Sequence, residues 1–290
     1  MNSIELFKKN APELLDKVYK QSAKTAILES DATLVKAGAN ANEIVIPKLD
    51  MDGLGDYDRN SGYLDGDVKL TNETVKFNYE RGRKLKTDAI DDEETGGVIL
   101  GNLSSEFLRT KVIPEVDATR MAQYASTPDI TLVAETLTTG EQVMKSLARE
   151  YDRMTDEEVP EESRHLFITS ILIGMVRDLD TTKSKELLKK FASITEMPQG
   201  RFYTAIELLS GKDADGERIG GYKKAAGAKE INFEIIEKSA LLQYTKHAKM
   251  KLFTPDQDQD GDNHKMLYRI YGLNDVYENK TAGIAVSHKN

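Results

Sequence analysis

The stretch Gly53–Asp88, GLGDYDRNSGYLDGDVKLTNETVKFNYERGRKLKTD, decides how this chain is built. Its first half is rich in glycine and aspartate, and its second half alternates apolar with polar residues. This period of two predicts strands at Val68–Leu70 and Val75–Tyr79, joined by a turn near Thr71–Thr74. A two-stranded hairpin is marginally stable in water, and no flanking segment is long enough to bury both of its faces. We therefore expect the hairpin to lie on another copy of the same chain.

The composition limits the classes of function. The chain has 290 residues, of which 39% are hydrophobic and 31% charged, as is typical of a globular protein. Its formal net charge of −9 argues against a protein that wraps nucleic acid through phosphate contacts. The absence of cysteine excludes disulfides and thiolate catalysis. No apolar run approaches the roughly 20 residues that cross a bilayer, and the N-terminus does not resemble a signal peptide, so we expect a cytosolic product.

The rest of the chain supplies a frame for the hairpin. Residues 1–45 are interpreted as an arm that has no core of its own. From Val98 to Ala125 apolar residues recur every three or four positions, which predicts one long helix with a kink or a join at Pro114. Helical and strand patterns alternate over 129–245, which is typical of a compact α/β domain. Strands return over 246–290.

Within the α/β segment, periodicity predicts three helices and several strands. The predicted helices are Gly140–Arg153, Ile171–Leu179 and Ser184–Ala192. The predicted strands are His165–Thr169, Arg201–Leu208, Ile231–Ile236 and Ala240–Tyr244, followed by Lys246–Thr254, Leu267–Tyr271 and Gly283–Val286.

The acidic sequence DQDQDGD at Asp256–Asp262 matches the first half of a calcium-binding helix–loop–helix loop. The twelfth position of that motif should be a bidentate glutamate, but here it is Leu267. The flanking residues also follow a strand pattern. A hairpin turn is therefore the favoured interpretation, and a calcium site is the alternative.

The densest basic group consists of Arg81, Arg83, Lys84 and Lys86. A phosphate-binding patch is one interpretation. Alternation along a strand divides these residues between two faces, so ion pairing within or between subunits is favoured. The acids at 91–94 complement the dipole of the helix that follows. No HExxH, GxSxG, GxGxxG or GxxxxGK[ST] pattern occurs, so the sequence predicts no enzyme, no cofactor and no metal.

The segments GLGDYDRNSGYLDGDV, NYERGRKLKTDAIDDEET and KLFTP…MLYRIYGLNDVYENKTAGIAV, together with the long helix, resemble the major capsid proteins of tailed bacteriophages. The resemblance is to siphophage-type proteins from Gram-positive hosts and covers nearly the whole chain. It implies the α+β Hong Kong 97-type shell fold. The implied parts are an N-terminal arm (1–46), an extended E-loop hairpin (47–88), a peripheral domain with a spine helix (89–126 and 246–290) and an axial α/β domain (127–245).

The resemblance also implies a structural role. Pentamers and hexamers would close into an icosahedral virion shell around double-stranded DNA, which the shell contacts weakly, after assembly in the host bacterial cytoplasm. Because the arm is short and starts at Met1, we expect a separate scaffolding protein, with a portal and any decoration proteins as further partners. The expected inter-subunit residues are Tyr57, Arg59, Val68, Leu70, Val75, Phe77, Tyr79, Arg81 and Arg83 on the E-loop. The residues singled out for the spine helix are Leu103, Phe107, Val112, Pro114 and Val116.

Two alternatives remain open at this stage. Within the same fold, the shell could be an encapsulin-like nanocompartment that houses a cargo enzyme instead of DNA. From a different class, the chain could be a small-ligand or calcium-binding α/β protein that uses the acidic turn.

Overall fold

The computed structural model describes residues 23–30, 36–37, 43–57, 59, 62–63, 65–90, 104–212, 217–258 and 261–290. The helices are α1 (Ile113–Ala125), α2 (Gly140–Asp156), α3 (Ser170–Asp178) and α4 (Thr182–Lys189). The first seven strands are β1 (Lys36–Ala37), β2 (Glu43–Met51), β3 (Val68–Lys76), β4 (Tyr79–Asp88), β5 (Thr131–Ala134), β6 (Arg164–Thr169) and β7 (Ser193–Met197). The remaining strands are β8 (Ile206–Leu208), β9 (Tyr222–Lys224), β10 (Ile231–Glu237), β11 (Leu241–Phe253), β12 (Asn263–Val276) and β13 (Ile284–His288).

The largest sheet has five strands in the order β5-β13-β10-β6-β7. Every residue of β6 and β10 is buried, because helices cover both faces of the sheet. Side chains from α2, α3 and α4 pack on one face, and α1 contributes Met121 and Tyr124 to the core on the other. The last strand, β13, pairs with β5 and β10, so it lies in this sheet and not with the remainder of 246–290.

A second sheet joins β11, β12 and β4, and its Tyr79, Tyr268 and Ile270 pack against the helical segment that begins at residue 104. Helix α1 thus contacts both sheets. Strand β11 is continuous where the sequence predicted two strands, and it carries a bulge between Thr245 and His247.

The hairpin differs from its predicted form. Residues 68–76 make one strand, and its partner is β2, with Leu49 opposite Leu70 and Met51 opposite Val68. The predicted turn at Thr71–Thr74 is wrong, because β2 supplies the backbone partners of those residues. The chain reverses instead in the glycine-rich segment 52–67, where Gly62 has a φ of +83° that disfavours a side chain. Strand β4 belongs to the second sheet, where it pairs with β12.

The predicted long helix is found from residue 104 to residue 125, and it is irregular before Pro114. Residues Leu108–Val112 form a π-helical turn, in which the amide of Ile113 donates to the carbonyl of Leu108. Proline has no amide to donate and crowds the carbonyl four residues earlier, so a wider turn relieves that contact. The irregularity lies where Pro114 predicted a kink or a join.

The smaller predicted elements have mixed outcomes. The three predicted helices are present as α2, α3 and α4 with shifted ends. The predicted strand Arg201–Leu208 is wrong over its first half. There, Gln199–Arg201 forms a 3₁₀ turn after Pro198, and the side chain of Phe202 enters the core beside α1. Strand pairing in that segment is limited to an isolated bridge at Tyr203 and to β8.

A carboxyl group without partners lies inside the five-stranded sheet. Glu234 of β10 lies between Phe167 of β6 and Val286 of β13. It is fully buried, and neither side-chain oxygen has a hydrogen-bond partner among the described residues. Alternation places it on the face of Ile236, toward the core that α1 covers. Burial raises the pKa of this carboxyl well above its ordinary value, because ionisation in an apolar core is costly.

We expect Glu234→Gln to stabilise the protein increasingly as pH rises. The folded state favours the protonated acid, whereas the unfolded chain ionises above a pKa of about 4.3, so the wild type loses stability upward from that pH. The free-energy difference between variant and wild type should be small at pH 4. It should then grow by up to about 1.4 kcal/mol per pH unit until the folded-state pKa is reached.

Urea unfolding at several pH values measures this difference. Glu150→Gln is the matched control. Glu150 is also buried, but its carboxylate forms ion pairs with Arg149 and Arg153, so the same change should destabilise the protein at neutral pH. A difference for Glu234→Gln that does not change with pH would contradict the assignment.

Candidate functional site: the hairpin and its anchors

The distal half of the β2–β3 hairpin exposes apolar side chains. Leu49, Met51, Val68 and Leu70 are 58–64% exposed. Because these residues form two directly opposed cross-strand pairs, their side chains share one face of the hairpin. We call these four residues the apolar strip. Nothing in the described part of the chain covers it.

The hairpin tip, residues 52–67, is also apolar in part. Leu54 is fully exposed, and Tyr57 and Tyr63 are 60% and 90% exposed. The two tyrosine rings pack with their centroids 4.9 Å apart, so the tip presents a formed aromatic pair. Asp52 accepts a hydrogen bond from the amide of Asp67 at 2.8 Å and closes the neck of the loop.

The base of the hairpin, in contrast, is fixed to its own chain. Ile44, Ile46 and Val75 are buried against Leu242 of β11 and Leu273 of β12. One face of the hairpin is therefore anchored near its base. The apolar strip lies on the opposite face, farther out.

The junction between β3 and β4 is rigid as well. Phe77 stacks on Tyr271 with ring centroids 4.8 Å apart, and Lys246 lies over the Phe77 ring. The side chain of Asn78 donates to the carbonyl of Asn274 at 2.7 Å and accepts from its amide at 3.0 Å. These contacts hold the direction in which the hairpin leaves the body of the subunit.

The structure divides the predicted E-loop contact residues into two groups. Tyr57, Arg59, Val68 and Leu70 are exposed on the hairpin and stay predictions for inter-subunit contact. The other predicted residues bond or pack within their own chain. The sequence did not predict this, because it placed all of them on one continuous hairpin. They are Val75 and Tyr79, which are buried; Phe77, which stacks on Tyr271; Arg81, which pairs with Glu115; and Arg83, which donates to the carbonyl of Arg218.

Arg81 connects three parts of the fold. Its Nε donates to Glu115 at the start of α1 at 2.7 Å, and its Nη2 donates to the carbonyls of Leu209 and Gly221. The hydroxyl of Tyr79 lies 3.2 Å from the same carboxylate. The expected ion pairing of the basic group is thus present for Arg81. Its partner is Glu115 of α1.

The predicted spine-helix residues pack inward where they are described. Val112 and Val116 are buried in the core between the helix and the second sheet, and Phe107 packs against it. Pro114 is half-buried. Leu103 lies outside the described residues, as do the acid cluster at 91–94 and the arm over 1–22.

A buried carboxylate holds the segment 23–30 against α1. Asp117 is completely buried and accepts from the amides of Lys24 and Thr25 and from the Thr25 hydroxyl at 2.8–3.2 Å. Arg201 supplies a cation 3.4 Å away. These donors replace the water that a buried carboxylate loses, so the ion is stabilised only while residues 23–30 stay in place.

A second charged group extends this network to β11 and β12. Arg120 is 2% exposed and donates to Thr25, Thr245 and Asn274 at 3.0–3.1 Å. Buried Gln243 donates to the carbonyl of Thr25 and accepts from the hydroxyl of Tyr124. Burial raises the pKa of that hydroxyl, so Tyr124 remains a donor.

Sequence reasoning missed both the network and half of the strip. A signal existed for the network, because Asp117 and Arg120 share a helical spacing with Met121 and Tyr124 and so fall on the buried stripe. The strip residues Leu49 and Met51 lie beyond Pro47, a residue type that disfavours strand pairing, yet β2 continues through it to residue 51.

The acidic turn joins two strands, β11 and β12, through a 3₁₀ turn at Pro255–Gln257. Asp258 pairs with Lys265 and accepts from the side chain of Asn263. A calcium loop of the helix–loop–helix class lies between two helices, whereas this turn lies between two strands. The described residues contain no group of three or more histidine, aspartate or glutamate side chains placed to hold a metal ion.

No described helix is long and apolar enough to cross a membrane. No family model matches the sequence, and no curated protein matches it either.

Solved structures do match. The virus-like particle from Pyrococcus furiosus aligns with a TM-score of 0.57 at 10% identity, over 95% of this chain and 98% of that chain. The capsid of Staphylococcus phage Andhra gives 0.55 at 11% identity, over 91% and 83%. The capsid of Cyanophage P-SCSP1u gives 0.53 at 13% identity, over 87% and 84%. The chain has the Hong Kong 97-type shell fold. At sequence identities of 10–13%, this structural similarity establishes the fold alone.

Within this shell fold, we expect Asp117→Ala to release the segment 23–30. The change leaves two amides, the Thr25 hydroxyl and the Arg201 cation without their acceptor, so the free energy of unfolding should fall by about 3 kcal/mol. Urea unfolding measures the loss, and limited proteolysis should show faster cleavage within 23–30.

Glu106→Ala is the control, because Glu106 pairs with Arg109 on the exposed helix surface, and such pairs contribute about 0.5 kcal/mol or less. Equal effects of the two substitutions, or unchanged cleavage of Asp117→Ala, would contradict the anchoring role.

Proposed function

We propose that this chain is the major capsid protein of a tailed bacteriophage. It assembles as pentamers and hexamers into an icosahedral shell that encloses double-stranded DNA. The observation that supports this best is the apolar strip, which projects from a subunit with the shell fold and has no cover within the described chain. Exposed contiguous apolar surface of this kind marks an interface.

The anchors at the hairpin base favour a fixed outward direction for the strip. In the proposed shell each subunit lays its hairpin on a neighbour and receives another in return, a head-to-tail contact that closes into rings. The unit built on the five-stranded sheet would gather at the symmetry axes. The second sheet and α1 would form the periphery.

The helix irregularity has a place in the same proposal. If the proposed shell matures by changing the angles between the parts of each subunit, the π-helical turn before Pro114 is the candidate flexing point. Gly62 in the hairpin tip is a second such point, because its backbone already occupies a conformation that other residues resist.

The proposed partners are other copies of the chain, a scaffolding protein, a portal, any decoration proteins and packaged DNA. The net charge of −9 favours weak contact with DNA, because a strongly cationic wall would bind the packaged genome tightly. We further propose that the role is structural and not catalytic. The buried charged groups Asp117 and Arg120 are engaged by partners within their own chain, Asp117 by Thr25 and Arg201 and Arg120 by Thr25, Thr245 and Asn274.

A cellular nanocompartment is the second candidate. The alignment over almost the whole of both chains with a virus-like particle that is named for a cellular organism, Pyrococcus furiosus, and not for a phage favours this candidate. The two functions differ in what the particle encloses. Purified particles that protect double-stranded DNA from nuclease favour the phage capsid, and particles that hold a protein cargo without DNA favour the compartment.

The experiment that tests the shell itself is negative-stain microscopy of the purified full chain. Closed particles support the proposal. A protein that stays monomeric at high concentration, with and without a scaffolding partner, would refute it.

We expect Leu70→Asp to abolish particles without harming the subunit. Leu70 is 64% exposed in the subunit, so a carboxylate there stays hydrated until assembly would bury it. The melting temperature should stay within about 2 °C of wild type, as for ordinary surface substitutions. Sedimentation and microscopy should show free subunits in place of particles.

Two variants complete this comparison. Leu70→Met keeps the strip apolar and should assemble. Val75→Asp, at the buried base, should unfold the hairpin and lower the melting temperature. Intact particles from Leu70→Asp would show that the strip is not an interface.

A further inference from the structure

The hairpin joins the second sheet through a junction of two residues. Strand β3 ends at Lys76 in the sheet that it forms with β2, and β4 begins at Tyr79 in the sheet that it forms with β12. Phe77 and Asn78 therefore carry the chain from one sheet to the other. A backbone rotation at these two residues would redirect β3, so the direction of the apolar strip depends on what holds them.

Asn78 extends the pairing of β4 beyond the end of that strand. Backbone pairing between β4 and β12 stops at Tyr79, opposite Gly272. The side-chain amide of Asn78 then donates to the carbonyl of Asn274 at 2.7 Å and accepts from its backbone amide at 3.0 Å. Asn274 is 3% exposed, so its backbone groups are shielded from water and need these partners.

On the other side of β12, the same row of the sheet reaches the segment 23–30. Gln243 of β11 lies opposite Asn274. Its backbone amide donates to the hydroxyl of Ser30 at 3.1 Å, and its carbonyl accepts from the amide of Ser30 at 2.9 Å. One row across the sheet therefore has the segment 23–30 at one end and Asn78 of the hairpin junction at the other.

Buried side chains connect the same two ends. The Oδ1 of Asn274 accepts from the Nε of Arg120 at 3.1 Å, and the Nη1 of Arg120 donates to the hydroxyl of Thr25 at 3.0 Å. That hydroxyl donates to Asp117 at 2.8 Å. Asn274 thus contacts the hairpin junction with its backbone and the buried network with its side chain.

The other junction residue has a link of the same kind. The amide of Thr245 donates to Glu29 at 3.0 Å, and its hydroxyl accepts from Arg120 at 3.1 Å. The bulge of β11 follows at once with Lys246, whose Nζ lies 4.9 Å from the centroid of the Phe77 ring. Both residues of the junction therefore contact groups that lie next to partners of the segment 23–30.

We propose that Asn274 is the positioning residue through which docking of residues 23–30 fixes the direction of the hairpin. While the segment is docked, Thr25 holds Arg120 and Arg120 holds the Asn274 side chain, so the backbone of Asn274 stays in place for Asn78. When the segment is released, Arg120 loses this partner and the row loosens up to the junction. The docked and released segments are the two states that such a coupling requires.

The coupling has a consequence for assembly that rests on the proposed function. A subunit presents the apolar strip in a fixed direction only while residues 23–30 are docked. Release of the segment therefore costs assembly even though the strip itself is unchanged.

Hydrogen–deuterium exchange tests the coupling on free subunits of the full chain, kept too dilute to assemble. Thr25→Val keeps the shape of the side chain but removes the hydroxyl that joins Arg120 to Asp117. We expect exchange in strands β2 and β3 to become about tenfold faster, together with that of residues 23–30, because a buried hydrogen-bond partner is lost. Thr25→Ser keeps a hydroxyl and should leave the hairpin protected.

Ser287→Ala is the matched control. Ser287 and Thr25 are both completely buried, and the hydroxyl of Ser287 donates to Glu135 at 2.6 Å beside the five-stranded sheet, which the row does not include. The control should leave exchange in β2 and β3 unchanged. An equal acceleration in Ser287→Ala and Thr25→Val would reflect a general loss of stability and would overturn the inference.

Substitutions at Asn274 test the residue itself. Asn274→Leu removes the acceptor for Arg120 and keeps the backbone groups that bond Asn78, so hairpin exchange should become about tenfold faster. Asn274→Asp keeps an acceptor oxygen and should restore most of the protection. If circular dichroism shows that Asn274→Leu does not fold, the comparison of Thr25→Val with Thr25→Ser decides the question alone.

The double variant Thr25→Val/Asn274→Leu distinguishes one path from two independent effects. Both changes interrupt the same path, so hairpin exchange in the double variant should be within about twofold of that in either single variant. Effects that multiply to about a hundredfold would show independent contributions and would overturn the role of Asn274.

Particle yield separates this inference from the proposed function. We expect Thr25→Val to lower the yield of shells severalfold and Thr25→Ser to keep it. Faster exchange in residues 23–30 without faster exchange in β2 and β3 would overturn the coupling and leave the proposed function standing. A normal yield from a Thr25→Val chain with a loosened hairpin would overturn the consequence for assembly. Failure of the unmodified chain to form particles would refute the proposed function, and the exchange measurements on free subunits would still decide the coupling.

Discussion

The constraint on which the rest of the structure depends is that the β2–β3 hairpin is anchored on one face and bare on the other. Ile44, Ile46 and Val75 bury the base against the second sheet. Beyond them the strand alternation turns Leu49 and Leu70 outward, where no described residue meets them. An apolar surface held in a fixed direction differs from a flexible loop, because its position is determined before any partner arrives and little ordering entropy remains to be lost on contact.

The same logic explains why the body of the subunit uses buried charges. Asp117 and Arg120 lie on the helix that both sheets share, and each has donors or acceptors from residues 23–30, from β11 or from β12. Apolar packing alone tolerates several arrangements, whereas a buried ion demands particular partners. We therefore expect the network to specify one position for residues 23–30. Glu234 is the opposite case, a buried acid whose lack of partners lowers stability at neutral pH.

The sequence predicted many of the elements whose signal is local periodicity. It predicted the long helix, its irregularity at Pro114, the helices of the α/β unit and the strands His165–Thr169 and Ile231–Ile236. It failed where pairing partners decide the outcome. The segment Thr71–Thr74 resembles a turn until β2 is placed beside it, and Arg81 resembles a surface cation until Glu115 is placed beside it. The network at Asp117 brings together residues more than 90 positions apart, which no window of periodicity can detect.

The size of the strip also determines how a shell of such subunits could assemble. Burying a fully exposed aliphatic side chain stabilises by about 1.5–3 kcal/mol, so four that are a little over half exposed contribute on the order of 4–7 kcal/mol. Loss of translational and rotational freedom on association costs about 4–15 kcal/mol. One strip contact therefore barely holds two subunits together. A closed head-to-tail ring has as many contacts as subunits, because the last subunit to join makes two contacts while it loses its freedom only once, so closure stabilises the ring relative to an open chain. Weak individual contacts also let a misplaced subunit dissociate before closure, and a shell of many copies needs that correction.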